Sequence, residues 1–385
     1  MNDDAESTVN APLGDHTLIT RTVTKPVMAT ELDQREHFLL MVKGEQVGLR
    51  IPFGGKPLLL GRKSPCDVVL ADSEVSGRHC DVVARGTAGD ALVTDLQSTN
   101  GTFVDSKRVQ GAMRLANGAL LQIGGHAFRH EFRLPKEIAQ SEELDRDLEK
   151  ANRYVQSLLP APIVIGPVRT DWFFQPSTKL GGDAFGYHQL DEHTFAGYLV
   201  DVSGHGAGAA MHSVSVMNVL RQRALTGTDF AAPEQVLQRL NAMFQMESHD
   251  GMYFSIWYGV FDARSRSLRF ASGGHHPAYL ACPDIAELLP LKTRNLVIGA
   301  APDARFVAQQ VFVPPGARVF VFSDGVFEIV TKTGEQWDLP NLLPLLQSAP
   351  ADTPQLAKWT YQAVTDVARE GPLDDDFSML IVTFM

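Results

Sequence analysis

Short apolar runs broken by turn residues dominate the first third of the chain. They fall at residues 37–42, 48–53, 57–60, 67–70, 91–95 and 119–123. Many short segments at such close spacing predict an all-β sandwich over residues 36–134. The pattern then changes period. Residues 136–159 contain neither Gly nor Pro and stop at Pro160. Within them Leu144, Leu148, Ala151, Val155 and Leu158 step by four and three in alternation, the seam of an amphipathic linker helix. Glu142–Arg146 and Glu149–Arg153 are i,i+4 pairs in the favourable order. Such a seam must be buried, either against a sister helix in a homodimer or against one of the chain's own domains.

Over residues 160–385 strand and helix patterns mix. A strand is expected at 194–202, a helix from about 209 to 225, a hairpin from 252–261 and 267–271, and apolar β-rich strands at 318–322 and 377–384. Long antiparallel pairs with segregated helices predict an α+β layered domain. Residues 1–35 are Thr-rich and polar with little periodicity and read as a disordered arm.

Composition narrows the setting. With 385 residues, 44% hydrophobic and 21% charged, the chain fits two globular domains with linkers. No run of eighteen apolar residues is present, so no membrane span is expected, and the acidic start does not read as a signal peptide. Cys66, Cys80 and Cys282 are odd in number and scattered, which fits a reducing cytoplasm better than a disulfide framework. The net charge of −11 argues against nucleic acid as a partner. That charge is uneven. Residues 36–134 hold twelve Lys/Arg against ten Asp/Glu, a net +2, which leaves −13 for everything else.

Three pieces of the β region place small polar or cationic groups at strand ends. They are Gly61-Arg62, Ser76-Gly77-Arg78-His79, and the run from Asp95 through Ser98, Thr99, Asn100 and Gly101 to Val104. Loops of a sandwich converge on a ligand in this way, and arginine's planar fork suits a phosphate. Each piece alone is also an ordinary turn, Asn100-Gly101 above all. Their order and spacing resemble the forkhead-associated (FHA) family. The resemblance implies a phosphothreonine-peptide reader in which Arg62 and Ser76 hold the phosphate, Asn100 holds the ligand backbone, and His79 braces the loop from inside. Gly77 departs from the family, which often has a cationic or amide side chain there; Arg78 or Lys63 is the candidate replacement.

The second half sets carboxylates at the boundaries of apolar segments: Asp183 after Leu180-Gly181-Gly182, Asp201 before Val202-Ser203-Gly204-His205-Gly206, Asp324 before Gly325, and Asp375 within Asp374-Asp375-Asp376. A single Asp-Gly is usually a turn. Four such acids clustered in space would repel one another without cations between them. Hard oxygen ligands select Mg²⁺ or Mn²⁺, and two ions about 3.5–4 Å apart can activate a water and neutralise a phosphoryl group. Gly204-His205-Gly206-Ala207-Gly208-Ala209 also fits a dinucleotide fingerprint, but no second strand with a terminal acid follows. The pair His275-His276 reads as loop packing, because neighbours on an extended chain point opposite ways.

These motifs, with Ser157-Leu158-Leu159-Pro160, Gly273-Gly274-His275-His276-Pro277, Ser323-Asp324-Gly325-Val326-Phe327-Glu328 and Asp375-Asp376-Phe377-Ser378, resemble the metal-dependent protein phosphatase family (PPM, protein phosphatase 2C-like), in its SpoIIE/RsbU-like bacterial branch. The resemblance implies two antiparallel sheets flanked by helices and a serine/threonine phosphatase using two Mn²⁺ or Mg²⁺ ions. Asp201 would bridge the ions and the Val202 carbonyl, Asp183, Asp324 and Asp375 would complete the set, with Asp376 the alternative to Asp375. Implied partners are a phosphorylated protein substrate, such as an anti-sigma-factor antagonist or another Ser/Thr-kinase target, and a phosphothreonine protein at the FHA region. The rival reading is a non-catalytic FHA adaptor with a degenerate phosphatase fold.

Overall fold

The computed structural model describes residues 34–85, 89–349, 353 and 355–385. All but residues 34 and 35 of the expected arm lie outside that range. The chain parts into two compact units after Leu144.

In the first unit a six-stranded sheet runs in the order Arg50–Phe53, Glu36–Lys43, His126–Arg133, Leu120–Ile123, Thr102–Val104, Lys107–Arg108. A five-stranded sheet runs Val68–Val69, Leu58–Gly61, Cys80–Arg85, Asp90–Asp95, Ala112–Leu115. Alternation builds the core between them: Leu39, Met41, Leu121 and Phe128 from one sheet meet Leu60, Val82, Val93 and Leu115 from the other. The sandwich expected from the pattern is therefore present. Its longest late strand, His126–Arg133, is absent from that pattern because His130 and Glu131 are buried polar residues that interrupt it. His130 bonds His37 at 2.9 Å, and Glu131 accepts from Arg50 at 3.0 Å.

Helix α1, Pro135–Leu158, carries the expected seam. Leu144 on that seam is 61% exposed, whereas Leu148, Ala151, Val155 and Leu158 are half-buried. Glu149 pairs with Lys179 Nζ at 2.8 Å. Beyond the helix, Trp172 Nε1 donates to Pro160 O at 3.0 Å and Tyr187 Oη to Ala161 O at 2.8 Å, docking the chain onto the second unit's sheets.

Those sheets have five strands each. One runs Val168–Gln175, Phe377–Phe384, Arg318–Phe322, Ala278–Ala281, Leu289–Leu291. The other runs Asp183–Gln189, Thr194–Val202, Phe254–Asp262, Ser267–Gly273, Gln309–Phe312. Leu199, Phe185 and Trp257 of the second sheet pack on Val319, Val321 and Leu380 of the first. Helices α2 (Ala207–Arg221) and α3 (Pro233–Met243) cover the outer face of one sheet through Val216, Leu220, Val236 and Leu240. Helices α4 (Leu339–Ser348) and α5 (Leu356–Val367) cover the other through Leu342, Leu346 and Val364. The central strands are thus covered on both faces, which is why Thr194–Val202 and Phe377–Phe384 read as near-continuous apolar runs rather than alternating ones. Every pairing within these two sheets is antiparallel, and α2 leads to α3 rather than to a parallel strand, so the glycine-rich turn is not a dinucleotide site.

The N-terminus of α5 is capped from another strand. Asp171 accepts from the Ala357 N–H at 2.9 Å, and burial raises its pKa. Asp171→Ala strands that donor. The expected result is a loss of about 1 kcal/mol in urea unfolding, with catalytic rates in the absence of urea unaltered.

Candidate functional site

Asp183 opens one strand and Asp201 stands one residue from the end of its neighbour, directly opposite in register. Both share the parity of Phe185 and Leu199, which face the layer between the sheets. The two carboxylates therefore emerge at the mouth of that layer. Asp324 follows the strand Arg318–Phe322 as the first residue of a single 3₁₀ turn, and Asp375 precedes Phe377–Phe384. Strands from two sheets thus deliver all four acids to one end of the sandwich. Asp201, Val202, Asp324 and Asp375 line a common cavity of about 410 Å³ with Ser177, His205 and Tyr253. Asp183 lies behind it, only 4% exposed, and its Oδ2 has no hydrogen-bond partner.

The third acidic loop explains the glycines. A Cβ at Gly181 would stand 2.4 Å from Asp376 Oδ2, and one at Gly325 would stand 2.3 Å from Asp376 O. Neither motif can accept a side chain while the Asp375-Asp376 segment passes between them. Asp376 itself is committed to holding backbone. Its Oδ1 accepts from Ser177 N at 2.8 Å and Oγ at 3.0 Å, and its Oδ2 accepts from Gly182 N at 2.7 Å. Asp375 instead faces the cavity. Of the two alternatives, the geometry leaves Asp375 available as a ligand and makes Asp376 the clamp.

Electrostatics are those of crowded, desolvated anions. Burial, then Asp201 and Asp376, push the Asp183 carboxyl well above the carboxylate range. Burial, then Asp324 and Asp375, push Asp201 up to about 7. Burial also raises Asp324 and Asp375. Among the described residues, no three His, Cys, Asp or Glu side chains stand close enough to enclose an ion by themselves. Mg²⁺-type ions do not require that, since they retain several waters and take one or two carboxylates plus substrate oxygens. An orphaned buried carboxylate oxygen and an all-oxygen donor set fit such ions.

Two further acids belong to this neighbourhood. Asp374 lines the cavity, and Glu328 adds to the repulsion on Asp201. Both stand inside motifs visible in the sequence, which gives them no separate signal. Tyr253, on the cavity wall, has none at all, being placed there by its backbone bond to Ser203 at 2.9 Å. The expectation for His275-His276 is half overturned. The rings do pack, His276 against Phe322 and Phe327, but they lie 4.3 Å from each other rather than on opposite sides. Residues 275–277 lie outside any strand, so the alternation of an extended strand does not apply to them. Each Nδ1 donates to a backbone carbonyl, and burial lowers both pKa values, His276 to about 4.

In the first unit, the three loops are bound together. Ser76 Oγ accepts from Thr99 N at 3.0 Å, and Asn100 Nδ2 donates to Glu74 O at 2.9 Å. Buried His79 accepts from Ser76 N at 3.0 Å through Nδ1, so its Nε2 carries the proton and donates to Gly101 O at 3.2 Å. Arg62 and Arg78 are exposed beside them. A Cβ at Gly77 would meet nothing within 4 Å, so the missing side chain leaves open surface. The Asn100 amide is spent on Glu74, and among the described residues nothing bonds its Oδ1.

A family model described as Stage II sporulation protein E (SpoIIE) matches residues 191–385, half of the chain. The chain belongs to the SpoIIE family. Residues 58–124 of this SpoIIE-family protein match the FHA domain model. It is 28% identical over 184 residues to phosphoserine phosphatase RsbP of Bacillus subtilis (strain 168), covering 48% of this chain and 45% of RsbP. With phosphoserine phosphatase RsbU of the same organism it shares 23% over 249 residues, 63% of this chain and 71% of RsbU. The chain thus spans less than half the length of RsbP. The SiaA-PP2C domain of Pseudomonas aeruginosa has a similar fold, with a TM-score of 0.55 at 19% identity over 64% of this chain and 99% of that domain. No helix among the described residues is long and apolar enough to cross a membrane.

Proposed function

We propose that the SpoIIE-family unit hydrolyses phosphoserine or phosphothreonine on a partner protein with two Mn²⁺ or Mg²⁺ ions, and that the FHA unit binds a phosphothreonine segment. The observation that carries the enzymatic reading is the pairing of Asp183 with Asp201 at the mouth of the inter-sheet layer, one oxygen of Asp183 buried without a partner. Folding concentrates negative charge there at a cost that bound cations relieve. Asp201 and the Val202 carbonyl would hold both ions, with Asp183, Asp324 and Asp375 completing the set. Bound ions would supply an activated water and charge neutralisation for the phosphoryl group. The protein's own contribution is positional. Asp376 locks the loops bearing Asp183 and Asp375 to one another, and the sheets hold Asp201 and Asp324 at fixed strand ends. RsbP and RsbU are phosphoserine phosphatases by name, which supports a phosphoprotein substrate. Full-length protein should release phosphate from a phosphoserine peptide and from p-nitrophenyl phosphate with Mn²⁺ and not with EDTA. A folded protein silent on both esters at millimolar Mn²⁺ would instead favour the adaptor reading.

A further inference from the structure

The catalytic cavity has a charge problem that its ligands do not fully address. Asp201, Asp324, Asp374 and Asp375 line it, and among the described residues no lysine or arginine does. A phosphomonoester dianion must approach this wall before it reaches any ion. A guanidinium is tied to that wall: Arg369, whose Nη2 donates to the cavity-lining Asp374 at Oδ1. Its backbone is anchored, the N–H donating to Val330 O at 2.9 Å, while the side chain is 55% exposed. Asp374 is 48% exposed. The base of the residue is therefore fixed and its head is free to exchange partners.

Resting on the phosphatase reading above, we infer that Arg369 is a substrate-positioning residue that leaves Asp374 to hold the phosphoryl oxygens of the incoming phosphoserine or phosphothreonine. An ion pair this open to water contributes little, because solvent screens it and two long side chains must be ordered. A guanidinium fork on a phosphate gains two charge-assisted bonds and a stronger partner charge. The exchange therefore runs toward phosphate. Asp374 is the resting partner, keeping the cation at the cavity rim, and it competes with substrate.

A purely structural role makes a different forecast. Arg369 and Asp374 also close the loop that leads into Asp375, and as a staple the two residues would be equivalent. Arg369→Ala and Asp374→Asn would then damage the enzyme alike. The positioning role separates them by sign. With Mn²⁺ and a phosphoserine peptide, Arg369→Ala should raise KM about tenfold and leave kcat within about threefold. Asp374→Asn should lower KM by about threefold, and Arg369→Lys should fall between wild type and alanine. Inorganic phosphate, as a competitive inhibitor, should weaken and tighten in the same order. Thermal midpoints of the metal-free variants check that both remain folded. KM rising in both variants, or unchanged in Arg369→Ala, overturns the assignment while leaving the phosphatase reading intact. Wild-type protein without Mn²⁺-dependent turnover overturns both.

Discussion

Asp201→Asn should fold normally and lose Mn²⁺-dependent hydrolysis, with turnover falling roughly a thousandfold or more, since the ions supply several kcal/mol of charge stabilisation. The same variant should be more stable than wild type when metal is absent. Asp201 in the folded chain titrates at about 7, raised by burial and by Asp324 and Asp375. Its ionised form is disfavoured by folding, so the penalty is absent at low pH, grows above the ordinary carboxylate pKa, and is complete above about 7. Asparagine removes that charge. Metal-free Asp201→Asn should therefore exceed wild type at pH 8 by on the order of a few kcal/mol and by little at pH 4. Paired measurements of phosphate release and of urea unfolding in EDTA at the two pH values check both halves. Wild-type turnover in the variant would remove Asp201 from the mechanism. Unchanged stability at pH 8 would show that the cluster is not strained by its charge.

Arg62→Ala should abolish detectable phosphothreonine-peptide binding while leaving turnover of p-nitrophenyl phosphate as in wild type. The side chain is exposed, and the loop beneath it is held by other bonds: Arg62 N donates to Ser76 O at 2.9 Å, and His79 ties Ser76 to Gly101. Removing the guanidinium thus subtracts contacts to ligand and little else. Two charge-assisted bonds to a phosphate amount to roughly 3 kcal/mol, about a hundredfold in affinity. Calorimetry with a phosphothreonine peptide and its unphosphorylated counterpart measures it. Equal affinity in wild type and variant would place the reader's site elsewhere.

Much of this arrangement was legible from residue order. The strands at 194–202, 318–322 and 377–384 end where the apolar runs end, because both of their faces are buried and most of their positions are apolar. The four acids stood out because each interrupts such a run at its end. The roles of Asp375 and Asp376 were not legible, since adjacent carboxylates are chemically identical until the Ser177 and Gly182 N–H groups select one of them. The strand Cys80–Arg85 escaped notice because Asp81 interrupts its apolar residues, and Lys107–Arg108 because both of its side chains are exposed. The rule for extended chains fails at His275 and His276 because they lie in a loop outside any strand. Arg369 carries no motif; only its contact with Asp374 brings it to the cavity.

The strand Phe377–Phe384 lies between Val168–Gln175 and Arg318–Phe322, inside a sheet whose edge strand comes far earlier in the sequence. The same segment brings the Asp376 clamp to Ser177, across 199 positions of sequence. During synthesis, this has a consequence for timing. The FHA sandwich, complete by Arg133, can close while the ribosome is still translating the second unit. The acid cluster cannot assemble until the strand Phe377–Phe384 has left the exit tunnel. A nascent chain can therefore close its FHA sandwich well before its acid cluster forms, and a message truncated before Phe377 yields the first without the second.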